Sequence, residues 1–199
     1  MNTSLYTEFR NCADRGDRER AARLVRQFID SFENETERRT WVREFLENGD
    51  YGHKIRHELY RDLIFPELCQ GYRTNDPWSL YFLAHTVQNV YKVRELHERL
   101  DWKSDYTLLE SCYRVAPDFR DVRAQLLDRV SRGLHFAIHE WPTGLLGEIE
   151  ELESELSFAK TLDSENTYFG LFGNVEAVLK EAKARARAKA SNPLSKPPP

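Results

Sequence analysis

The chain has 199 residues, 40% hydrophobic and 31% charged, with a net charge of -4, which suits one folded body with a tail rather than an array of domains. Arg and acid are interspersed through the body, which argues against general nucleic-acid binding, since phosphate contacts need a clustered positive surface. Three cysteines, Cys12, Cys69 and Cys112, lie far apart without a C-x-x-C, excluding a disulfide framework or zinc knuckle and pointing to a reducing compartment.

Leu5, Tyr6, Phe9 and Cys12 recur at helical spacing and predict a first helix to about Ala13. Arg15-Gly16-Asp17 breaks it and offers a cap to a second helix, Arg18 to Phe32, whose apolar stripe is Ala21, Leu24, Val25, Phe28 and Phe32. A third helix, Glu35 to Glu47, stops at Asn48-Gly49-Asp50. The two stops repeat at a spacing in the low thirties, the period of a two-helix unit. A fourth helix runs from Tyr51 through Leu59 and Ile64, where Pro66 should kink or interrupt it.

After the loop Gly71 to Asp76, Pro77 takes the favoured first position of a fifth helix, with Asp76 as its cap, expected to reach about Leu100. Its apolar residues fall on two sides, as in a central helix. A sixth helix ends at Ala116-Pro117, and a seventh runs from Asp118 to about Glu140, stopping at Trp141-Pro142. These two read as a hairpin, repeating the punctuation of the stretch Glu58 to Tyr91. An eighth helix is expected from Gly144 to Leu162, then a loop to Asn174. A last helix over 175–190 should carry the basic run Lys180 to Lys189, ahead of a disordered tail over 191–199. The fold class expected is all-α, stacked antiparallel helical hairpins in an α-solenoid or irregular bundle, with residues 1–174 as one helical-repeat domain. Polar residues Glu8 and Arg10 come before any apolar run, and no segment is long and apolar enough to span a bilayer. The expectation is a cytoplasmic protein without a membrane partner.

The G-D-Y before one helix, the N-D-P and A-P-D between helices, and the small or aromatic residues at helix crossings resemble tetratricopeptide-type helical hairpins over residues 5 to 140. The W-x2-L-G pattern of that family is missing and the units differ in length. The resemblance implies a concave surface that binds a peptide or a protein domain. No position matches a known peptide clamp, so it transfers no individual binding residue.

Two H-x-x-x-H pairs, His53/His57 followed by Glu58 and His135/His139 followed by Glu140, could each grip one metal ion from one helix face. In the zinc protease motif, however, the Glu follows the first His, and here it follows the second. Along the fifth helix, Trp78, Tyr81, His85 and Asn89 form a line that passes from aromatic to polar, as a partner-binding inner face would; core packing is the plainer account. Glu150, Glu151 and Glu153 belong to an acidic cluster that could meet a basic partner. No nucleophile elbow or glycine-rich phosphate loop occurs. The sequence therefore favours a non-catalytic protein-binding module without a cofactor, such as an adaptor or an immunity or antitoxin protein. The alternative is a metal-dependent helical enzyme built on the histidine pairs. A third, weaker reading is nucleic-acid contact through Lys180 to Lys189.

Overall fold

The computed structural model describes residues 1–49, 55–91 and 93–190. Among them the chain is all-α, with ten helices and no strand. They are α1 (Thr3–Asp14), α2 (Arg18–Asp30), α3 (Glu35–Glu47), α4 (His57–Leu59, Tyr60–Ile64 and Phe65–Arg73 run together), α5 (Pro77–Tyr91), α6 (Arg94–Glu98), α7 (Asp105–Val115), α8 (Arg120–Ile138), α9 (Ile149–Leu162) and α10 (Phe169–Ala190). No described helix is long and apolar enough to cross a membrane. The expectation for 191–199 lies outside the described residues.

Several helices begin where short polar side chains take up the free backbone N–H groups. Asn2, Asp17, Asn34 and Ser104 accept from the N–H of Ser4, Arg20, Glu37 and Thr107, and such a cap contributes about 1 kcal/mol. Gly16 and Gly49 have positive φ with open space around them, so the repeated stop exists because the backbone turns left-handed there.

Two compact units divide the chain, Met1–Pro117 and a second from Asp118 on, where the sequence suggested one body to residue 174. The boundary falls between the two helices read as a hairpin. In the first unit α7 packs on α5, and in the second α8, α9 and α10 pack pairwise. In the first unit α1 pairs with α2, and the C-terminal half of α4 with α5. Tyr6, Phe28, Trp41 and Phe45 knit α1, α2 and α3 together, with Trp41 stacked on Phe45 at 5.0 Å.

Pro66 neither breaks nor sharply ends its helix. Without an N–H it cannot bond Asp62, and its ring would crowd that carbonyl. The chain widens into a π turn over Tyr60–Ile64, in which the Phe65 N–H donates to the Tyr60 carbonyl five residues back. Tyr60 is fully buried there, its hydroxyl 3.1 Å from Thr86 Oγ1 on α5.

Several boundaries differ from expectation. The fourth helix starts at His57, because Arg56 is extended; Tyr51 lies outside the described residues. The fifth ends at Tyr91 rather than Leu100, since Val93 is extended, and α6 is a separate short helix. The eighth begins at Ile149, after Gly147 with φ of 131°. The last starts at Phe169, because Asp163 is buried and its carboxylate accepts from the N–H of Thr167 and Tyr168, both at 2.8 Å. That cap draws the apolar stretch after Tyr168 into helix, burying Phe172 and Val175.

Candidate functional site

The first unit has a cleft of about 450 Å³ where α3, the end of α4 and the start of α5 meet. Val42 and Ser79 are buried beneath it, and Arg39, Arg43, Glu67, Gln70 and Trp78 line it. Gly71 lets the two backbones close, because a Cβ there would sit 1.9 Å from Ser79 Oγ. Asp76 holds the start of α5, accepting from the Ser79 N–H at 3.0 Å and its hydroxyl at 2.6 Å.

Trp78 stands at the mouth. Its indole Nε1 donates to Glu47 Oε1 at 2.9 Å, and the Arg43 guanidinium lies 4.4 Å over its ring, a cation–π contact worth about 0.5–1 kcal/mol at an exposed site. Arg39 donates to Gln70 Oε1 at 2.6 Å and faces Glu67 at 3.4 Å. An aromatic plane clamped between an acid and a guanidinium keeps one rotamer, and a side chain ordered beforehand loses less entropy on binding.

Of the line expected on α5, Trp78, Tyr81 and His85 are partly exposed and Asn89 is buried. The rings of Tyr81 and His85 meet at 4.2 Å, tilted by 42°. Asn89 Nδ2 donates to the Thr86 carbonyl of its own helix at 3.1 Å, so its amide is spent within α5. The cleft residues contributed by α3 and α4 were not singled out from sequence. They come from positions about thirty apart, and the one local signal was the spacing of Arg43 and Glu47, four apart on one helix face.

In the second unit Glu150 and Glu151 are exposed, while Glu153 pairs with Lys183 at 2.6 Å. A second bridge joins Lys160 to Glu176, and the two flank a groove floored by Leu156 and Leu179 between α9 and α10. The acidic cluster is thus partly neutralised by the basic helix. Arg185 likewise bonds Glu181 and lies 4.6 Å over the Trp141 ring.

His135 and His139 are exposed on the second unit; His139 pairs with Glu140 at 2.8 Å and stacks on Phe136 at 4.8 Å. His57 belongs to the first unit and His53 lies outside the described residues. Burial opposes ionisation of the Glu58 carboxyl, but a backbone N–H and Arg56 together bring it below its ordinary value. No group of three or more His, Cys, Asp or Glu able to hold a metal ion occurs among the described residues. The three cysteines are buried free thiols.

Behind the cleft, burial, with a smaller effect from Asp76, pushes the Cys112 thiol up to about 11; burial, then the hydrogen bond to Asp101, pushes Tyr72 up to about 12. Both are acids held protonated by the fold. Their contribution to stability is complete below the ordinary values of 9.0 and 10.0 and is lost as pH rises through the raised ones. Urea midpoints are expected to decline between about pH 9 and pH 12, and the decline should be shallower in Tyr72→Phe. A midpoint that is flat over that range contradicts this.

Comparison with protein-family models, with curated proteins and with solved structures returns no match to this chain.

Proposed function

We propose that the chain is a non-catalytic protein-binding module that acts through the Trp78 cleft. What carries this reading is the clamped indole at the mouth of a preformed concavity, with Arg43 over one face and Glu47 on its N–H. Trp and Arg in partly desolvated pockets are the residue types that dominate protein interfaces. The sequence resemblance to tetratricopeptide-type hairpins over residues 5 to 140 points to the same class of activity. An adaptor or an immunity-type inhibitor in a reducing, cytoplasmic setting are the forms it takes. The exposed Glu150 and Glu151 are secondary to this surface, because neither is backed by an apolar anchor.

The test is affinity capture with the wild-type chain beside Trp78→Ala and Arg43→Glu, each checked for unchanged helicity. A stoichiometric partner should be retained by the wild type and weakened by about thirtyfold in Trp78→Ala, as for an interface hot spot. Undiminished capture by both variants would remove the cleft from the account. Metal analysis of the same preparations addresses the histidine alternative: near-stoichiometric metal lost in His57→Ala or His139→Ala would replace the binding reading.

A further inference from the structure

Among the charged groups lining the Trp78 cleft, each acid is already engaged. Glu67 faces Arg39 at 3.4 Å. Asp76 accepts from the backbone and hydroxyl of Ser79. At the rim, Glu47 takes the indole N–H of Trp78. Arg39 is bound to Gln70 as well as Glu67. Arg43 differs: its guanidinium carbon lies 4.4 Å over the Trp78 ring and it makes no ion pair or hydrogen bond among the described residues.

A guanidinium presents five N–H donors in one plane, and stacking one face on an indole leaves the edges of the plane open. Those edges match the two oxygens of a carboxylate. Because contact with the ring restrains Arg43 before any ligand arrives, the fork loses less freedom on binding. The sign and size of the ligand's charge follow from the surroundings. Neutralising an unpaired cation favours an anion, but Glu67 and Asp76 line the same cleft and oppose a dianion more than a single charge. A phosphate monoester carries about -1.5 to -2 at neutral pH and a carboxylate carries one charge. The volume of about 450 Å³ suits one or two side chains of an extended strand rather than a globular face. Val42 beneath provides apolar contact for a neighbouring residue.

We propose that the cleft takes the side-chain carboxylate of an aspartate or glutamate in an extended, apolar-flanked segment of a partner protein, gripped edge-on by Arg43 against Trp78. This rests on the reading of the cleft as a protein-binding surface and names the chemistry of what enters it. Arg43 is the ligand contact, Trp78 is its backing plate, and Glu47 positions the plate.

The experiment is an NMR titration of the uniformly 15N-labelled full chain, reading the Trp78 indole Nε1–H resonance, which Trp78→Phe assigns among the four tryptophans. The probes are three acetylated, amidated peptides, Leu-Asp-Leu, its Leu-Asn-Leu counterpart and its phosphoserine counterpart. The Asp peptide should give a saturable shift, with binding about tenfold weaker for the Asn peptide and in Arg43→Gln, the loss expected for a charge-assisted bond. Arg43→Lys should fall between wild type and Gln, because an ammonium keeps the charge and loses the fork. The absence of a saturable shift with the Asp peptide overturns the proposal, as does equal response to Asp and Asn. Tighter binding of the phosphoserine peptide overturns the choice of carboxylate. Arg43 is exposed and has no ion pair among the described residues, so Arg43→Gln should keep the wild-type spectrum away from the cleft. If the peptides fail while Trp78→Ala still abolishes partner capture, the carboxylate assignment falls and the binding module stands. If capture too is indifferent to Trp78, the module reading falls with it.

Discussion

Gly71→Ala is expected to lower the stability of the first unit by about 1–3 kcal/mol, the cost of forcing extra volume into a closed contact. Helix propensity alone argues the opposite, since Ala in place of Gly inside a helix gains about 1 kcal/mol, and Gly71 lies within Phe65–Arg73. The added Cβ would stand 1.9 Å from Ser79 Oγ and 2.5 Å from Ser79 Cβ. Ser79 is buried and its hydroxyl is bound to Asp76, so the Oγ has no easy retreat and the Cβ has none. The two helices would have to move apart, opening the floor of the Trp78 cleft. Urea unfolding decides the sign. The pattern of rescue is also diagnostic: Ser79→Ala in the Gly71→Ala background should restore little, because its Cβ remains. Ser79→Gly should restore more, less the roughly 1 kcal/mol that a helical glycine costs. A midpoint that rises in the single variant would mean that α4 and α5 can part freely.

Phe28→Ala should be costlier still, about 3–5 kcal/mol, against the 5–15 kcal/mol that holds a typical domain together. The ring is fully buried and stands 5.1–5.2 Å from Tyr6, Phe32 and Trp41. Removing it leaves a void among rigid rings that cannot close around it and also forfeits the ring pairings, each worth about 0.5–1.5 kcal/mol. Phe28→Leu keeps most of the volume and should lose much less. Guanidinium unfolding followed by near-UV circular dichroism of the aromatic groups would measure both, and equal losses for Leu and Ala would show that volume is not what matters at this site.

Much of the fold could be read in the chain because its signals are local. Asp17 and Asp76 cap the helices they precede in sequence, and the apolar stripe from Ala21 to Phe28 is buried as its spacing predicts. Non-local features were hidden. Nothing near Asn174 reveals that Asp163 will turn inward and start α10 five residues sooner. Asn89 is buried, as the plainer core-packing account has it, but its amide bonds the Thr86 carbonyl of its own helix, a choice of partner the sequence does not reveal. Trp78 was legible as the first member of a line that could be a partner-binding face or core packing, and it is half-buried. Its partners Arg43 and Glu47 lie on another helix, and chain spacing does not report which helices become neighbours. The exposed Trp102, left-handed at φ of 59° and 4.6 Å from His97, carried no sequence warning, since Gly or Asn is the residue that announces such a backbone.

The π turn before Pro66 also acts as a phase shifter. Upstream, the buried positions of α4 are Leu59, Tyr60, Leu63 and Ile64; downstream they are Phe65, Leu68 and Cys69. An unbroken α-helix would carry the first set on to Pro66, Glu67, Gln70 and Gly71. The wide turn accommodates one extra residue and so rotates everything after it by about 100°. Straightening the turn over Tyr60–Ile64 into α-helix with all its residues kept would thus leave a perfectly regular rod with the wrong side out. Glu67 and Gly71 would swing toward the core, Leu68 toward water, and the cleft would disappear without any of its own residues being altered. The cleft is therefore keyed to the wide turn that absorbs the extra residue: removing one residue from Tyr60–Ile64 should give a regular helix with the cleft side still outward, whereas straightening the turn with every residue kept should abolish the cleft.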